Sequence, residues 1–136
     1  MREILFRGIS RDTQTFVFGD LLRGEDGDCD ICVNDLDTNE KNKFPVYPET
    51  VGQFTGLYDK NGTKIFEGDI VEIKDFTHGC ALNYKQPTSR WVVHWKEGTA
   101  RFCIDYMDIL PFDFTKSEIV GNIHDNSELL KEGAQV

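Results

Sequence analysis

Cys29 and Cys32 enclose Asp30 and Ile31 in the C-x-x-C spacing with which two thiolates grip one zinc ion. His78 and Cys80 add two further donors, enough in number for a tetrahedral site. As a zinc motif the set is incomplete, because its second half lacks a C-x-x-C of its own and both halves lie in irregular sequence. The aspartates beside Cys29 suit a cation but disfavour the thiolate that has to bind it. No secretion signal accompanies the four cysteines, which therefore read as reduced thiols rather than a disulfide framework. Cys29 and Cys32 are expected to be surface thiols on a loop, and Cys103 to be inert.

His78, His94 and His124 are scattered along the chain. A Cys80 nucleophile with His94 or His124 as its base stays open, since such pairs meet in space rather than in sequence. No family nucleophile signature or oxyanion-loop pattern accompanies it. Asp20, Asp59 and Asp69 read as turn chemistry, short acceptors for nearby backbone amides, in preference to a two-carboxylate metal or hydrolase site. The glycines sit singly in turns and form no phosphate-binding loop. Trp91, Trp95, Tyr106, Tyr47 and Tyr58 have the residue types of an aromatic groove for an extended peptide. Trp91 and Val93 are assigned to the core, which leaves Tyr58 and Trp95 as the binding candidates.

The elements that must position these residues are short strands. Asp59-Lys60-Asn61-Gly62 matches a type I turn closing into a bulge, with glycine where a left-handed residue is wanted. Gly68-Asp69 then forms a second corner after Ile65-Phe66, feeding a strand in which Val71 and Ile73 point one way and Ile70 and Glu72 the other. Glu3 to Gly8 and Phe16 to Asp20 read as a first hairpin whose second arm ends at Gly19-Asp20. Arg23 to Lys43 is an acidic excursion, expected to hold one short edge strand around Ile31 and Val33 in an otherwise mobile loop. Phe44 to Pro48 re-enters as extended chain, because each proline fixes its own φ and biases its predecessor.

A second loop is expected at about 74–89. Arg90 to Trp95 alternates cleanly, placing Trp91, Val93 and Trp95 on one face, and Glu97-Gly98 turns it into a second arm burying Phe102, Ile104 and Tyr106. A last strand covers Glu118 to Ile123. Asn126 offers an N-cap for a short helix through Leu129 and Leu130, ended by Gly133. With 136 residues and six to nine short strands, the chain reads as one mainly β domain of small-barrel type.

Fifteen basic against 24 acidic residues give a net charge of −9. The average field repels phosphate backbones and anionic membranes, which disfavours nucleic acid as a partner and favours a basic host protein. No apolar run approaches the ~18 residues of a membrane span, and a cytoplasmic location is expected.

Three blocks together resemble the YopX proteins carried by bacteriophages and prophages. They are Met1 to Arg7; Phe54 to Gly62 with Ile65 to Val71; and Ile119 to Leu130. The acidic excursion, residues 74–89 and Ser127, where the family often carries proline, depart from the pattern. The resemblance implies a mostly β fold with a small, partly open SH3-like barrel, additional β-hairpins and no established biochemical activity, so no catalytic residue is carried over. The expected function is a non-enzymatic accessory protein acting through protein contacts or self-association, with no cofactor. A metal- or cysteine-dependent enzyme is the alternative, and a nucleic-acid-binding barrel the third reading.

Overall fold

The structure is a computed structural model and describes residues 2–74, 88–104 and 113–130. His78, Cys80, Tyr106, Gly133 and nearly all of the expected loop at 74–89 lie outside the described residues. The chain is mainly β and divides into two compact units, Met1–Gly56 and Leu57–Val136. No helix among the described residues is long and apolar enough to cross a membrane.

In the first unit, β1 (Phe6–Ile9), β2 (Phe16–Arg23), β3 (Cys29–Asn34) and β4 (Lys41–Val46) form an antiparallel meander. β5 (Gly52–Tyr58) pairs with the other side of β1, giving the order β4-β3-β2-β1-β5. The expected first hairpin is present, with Ile9 opposite Phe16. Its second arm does not end at Gly19-Asp20. β2 continues to Arg23, and Asp20 lies mid-strand opposite Cys32. Glycine is needed at position 19 because a Cβ there would stand 2.0 Å from the Cys32 carbonyl oxygen.

The acidic excursion folds as strand, turn and strand rather than as a loop. Its carboxylates concentrate in the connections: Asp26 Oδ1 accepts from the Asp28 N–H at 3.2 Å, and Asp35 Oδ1 from the Asp37 N–H at 2.9 Å. Such self-capping lets polar sequence turn twice in few residues. β3 is paired on both sides, so it is not the expected edge strand. The edge is β4, where Lys41 and Lys43 blunt further pairing, while its far end is bridged by Ser10 opposite Val46. Ile31 and Val46 are fully buried, while Leu36, in the turn, is 93% exposed. A 3₁₀ turn at Pro48–Thr50 is tied to β1, because the Thr50 Oγ1 accepts from the Ile9 N–H at 2.9 Å and donates to the Tyr47 carbonyl at 2.6 Å.

In the second unit the chain turns through Asp59–Gly62 into β6 (Lys64–Phe66) and through Gly68 into β7 (Asp69–Lys74). Gly62 has φ +79° and donates its N–H to the Asp59 carbonyl, as the sequence predicts. β7 is the centre of a three-stranded sheet, between β8 (Thr88–Val92) and β11 (Glu118–Asn122). Val71 lies opposite Trp91 on one side and Ile119 on the other. Ile65, Val71, Ile73, Trp91, Val93, Ile104 and Phe114 form one core, with Ile119 packed against it. The Trp91 indole N–H donates to Ser89 Oγ at 2.7 Å, so the ring is buried without an unmet donor. Asp113 caps the 3₁₀ turn Phe114–Lys116 that delivers Phe114; the Thr115 hydroxyl and backbone N–H hold the Asp113 carboxyl below its ordinary pKa.

Two expectations change here. Arg90 to Trp95 is not one strand: β8 stops at Val92, and β9 (His94–Lys96) pairs with β10 (Arg101–Cys103). Both backbone groups of Val93 bond to the Gly68-Asp69 corner, at 2.9 Å each, so the chain changes partners there and loses its phase of alternation. At the C-terminal end, the described part of the expected short helix, Ser127–Leu130, is 3₁₀, and its expected end at Gly133 lies outside the described residues. Asn126 Oδ1 accepts from the Asn122 N–H behind it, and neither leucine is fully buried. Among the described residues the sheets are open and no closed barrel forms.

Candidate functional site

The change of partners at Val93 creates the exposed surface of the second unit. With four residues between Lys96 and Arg101, the β9–β10 ribbon sets Trp95 opposite Phe102 and His94 opposite Cys103. Directly paired residues share a face, and alternate residues lie on opposite faces. Trp95 and Phe102 therefore occupy one face, edge to ring with centroids 4.9 Å apart. Trp95 is 44% exposed, against 9% for Trp91. Phe102 is half-buried, so it braces the indole rather than joining the core as expected.

The second predicted binding residue, Tyr58, is also 44% exposed, at the end of β5 beside exposed Leu57. It stands next to Asp59, which is only 5% exposed. Asp59 Oδ1 accepts from the N–H groups of Asn61 and Thr63 at 2.9 and 3.0 Å, and Oδ2 from that of Ile119 at 3.1 Å. Burial pushes its carboxyl pKa up. The backbone donors of Ile119, Thr63 and Asn61, with the charge of Lys60, outweigh burial and hold it below the ordinary 3.8. Asp69 likewise accepts from the Phe66 N–H at 2.8 Å. These two carboxylates are occupied by turns; Asp20, in mid-strand, is not a turn residue.

Of the remaining aromatic candidates, Trp91 is in the core and Tyr106 lies outside the described residues. Tyr47 belongs to the first unit, with the Arg11 guanidinium 4.9 Å from its ring centroid and the Gln14 amide donating to its hydroxyl at 2.8 Å. His124 sits in the turn after β11, where its backbone N–H donates to Asn122 Oδ1 at 3.0 Å.

Cys29 and Cys32 are placed by β3 rather than by a loop. An i, i+3 pair in a strand points to opposite faces with about 10 Å between α-carbons, which does not suit two thiolates closing on one ion. Among the described residues no group of three or more His, Cys, Asp or Glu side chains could hold a metal ion.

Sequence reasoning missed the contact between Cys103 and His94, whose Sγ and Nε2 lie 3.7 Å apart. The length of the Glu97–Ala100 turn was the signal available, since it sets the register of the ribbon.

Compared with known proteins, residues 5–131 match the family described as "YopX protein". No curated protein matches the sequence. Among solved structures, protein EF1440 from Enterococcus faecalis is similar at a TM-score of 0.61 and 23% identity, covering 96% of this chain and 99% of that one. That likeness concerns the fold.

Proposed function

Because this chain belongs to the YopX family, we propose that it is a non-enzymatic accessory protein of a bacteriophage or prophage, acting in the host cytoplasm by contact with a protein partner. The observation that carries this reading is Trp95, a large aromatic left 44% exposed and held in place by Phe102. A braced, exposed tryptophan gives up little conformational freedom on binding, and its ring offers a large apolar area to a partner. Tyr58 and Leu57 add a second exposed apolar point in the same unit. The net charge of −9 favours a basic partner, attracted over distance and anchored by aromatic contact. The short strands and tight corners of this unit support an SH3-like ancestry, in which aromatic surfaces take extended peptides.

The test is capture from a bacterial host lysate with the wild-type chain and with Trp95→Ala, together with light scattering for self-association. A basic protein retained by the wild type and weakened at least about tenfold by Trp95→Ala is expected, the size of a hot-spot loss. Equal retention by both chains, or a plain monomer that retains nothing at moderate salt, overturns the reading.

A further inference from the structure

The face of the ribbon opposite Trp95 carries four residues of a different character. His94 and Lys96 alternate with Trp95 on β9, and Arg101 and Cys103 alternate with Phe102 on β10, so the four share one face. Cys103 Sγ stands 3.7 Å from His94 Nε2, within hydrogen-bonding range for sulfur. Arg101 Nε is closed off from solvent and has no hydrogen-bond partner among the described residues. The Arg101 and Cys103 α-carbons are about 7 Å apart along the strand.

A sulfur and an imidazole nitrogen at this distance have two chemical uses. Across a tetrahedral zinc ion the same two atoms stand about 3.6 Å apart, so separation alone does not decide between metal binding and proton transfer. Charge decides: Arg101, on the same face, repels a cation and favours a thiolate. Cys29 lies opposite Arg23 and Cys32 between Asp20 and Lys43, so neither is paired with an imidazole.

We propose that Cys103 is a nucleophilic thiol and a modification site for soft carbon electrophiles, with His94 as the base that takes its proton. The sulfur forms a bond to the electrophilic carbon as the carbon–leaving-group bond breaks. The leaving group departs with its electron pair, and the thiol proton remains on His94 Nε2. This inference does not depend on the partner-binding reading, because it concerns the other face of the ribbon.

The experiment is alkylation of the folded, full-length chain with iodoacetamide at neutral pH, followed peptide by peptide by mass spectrometry. Cys29 and Cys32 serve as internal standards in the same sample. Although Cys103 is 9% exposed and the two standards are only half-buried, Cys103 is expected to react about tenfold faster than either, the advantage of an activated thiol over an ordinary one at this pH. His94→Gln is expected to remove most of that advantage while leaving Cys29 and Cys32 unchanged. If His94→Gln unfolds the chain, the standards accelerate with it, and Arg101→Gln then decides by slowing Cys103 alone. Cys103 reacting no faster than Cys29, whether sealed from the reagent or simply unactivated, overturns the proposal. So does an unchanged Cys103 rate in folded His94→Gln.

Discussion

In the second unit Val71, Trp91 and Ile104 join one continuous core, whereas in the first unit Phe18 and Leu22 remain 46% and 42% exposed on β2 although Ile31, on the neighbouring strand, is sealed. Both units are antiparallel sheets of short strands, so strand content does not explain the contrast. Its source is how much of each unit's order comes from side chains and how much from backbone bonds. β7 presents Val71 to partners on either side, and Val71 and Ile73 both join the core. The β1–β4 meander relies more on ladder pairing and on small polar residues that bind backbone groups, such as Thr50, Asp26 and Asp35. Packing scales with the apolar area removed from water, while a backbone bond exchanges one polar partner for another and nets much less.

Substitutions can break this comparison. The largest effect is expected from Trp91→Ala, about 4 kcal/mol of lost stability in denaturant unfolding, because it empties the centre of a core that cannot fully collapse. A loss under about 1 kcal/mol would mean that the cluster is loosely packed and the contrast misplaced.

Next is Asp59→Ala, expected to cost about 2–3 kcal/mol by leaving three backbone N–H groups without their acceptor. The pH dependence has a definite sign. The folded carboxyl titrates below 3.8, so its contribution is complete above that value and is lost as pH falls through the lower folded pKa. The stability gap between wild type and Asp59→Ala should therefore hold steady above about pH 5 and narrow as pH falls below about 4. A gap independent of pH would remove the charge from the account.

Thr50→Val tests the first unit's polar contribution. It keeps the shape of the side chain but removes the acceptor for the Ile9 N–H, with an expected loss of about 1–2 kcal/mol. Hydrogen exchange at Ile9 should rise with it; unchanged protection there would show that the turn does not hold β1. The smallest effect is expected from Phe18→Ala, within about 0.5 kcal/mol, as for a surface residue. A loss comparable to Trp91→Ala would show that the β2 face is part of a core after all.

The corners at Asp59–Gly62 and Gly68-Asp69 were legible because each depends on its own residues, whereas the same dipeptide at Gly19-Asp20 lies mid-strand. Asp59-Lys60-Asn61-Gly62 carries both its acceptor and its left-handed glycine within four positions, and the structure follows that reading. Tyr58 and Trp95, chosen from the sequence as binding candidates, are each 44% exposed. The acidic excursion was misread because its strands bury few large side chains. Ile31 and Val46 are sealed, but Lys41-Asn42-Lys43 has no hydrophobic alternation from which a strand could be recognised.

Residue types and local spacing by themselves determined the mainly β class, the turn chemistry at Asp59 and Gly62, the family blocks and the acidic field. Those properties rest on interactions a few residues long, or on composition alone. Only the tertiary structure decided which face Trp95 occupies, that Phe102 braces it and that His94 meets Cys103. The reason is the backbone of Val93, which bonds to a corner more than twenty positions earlier in the chain and resets the alternation of everything after it.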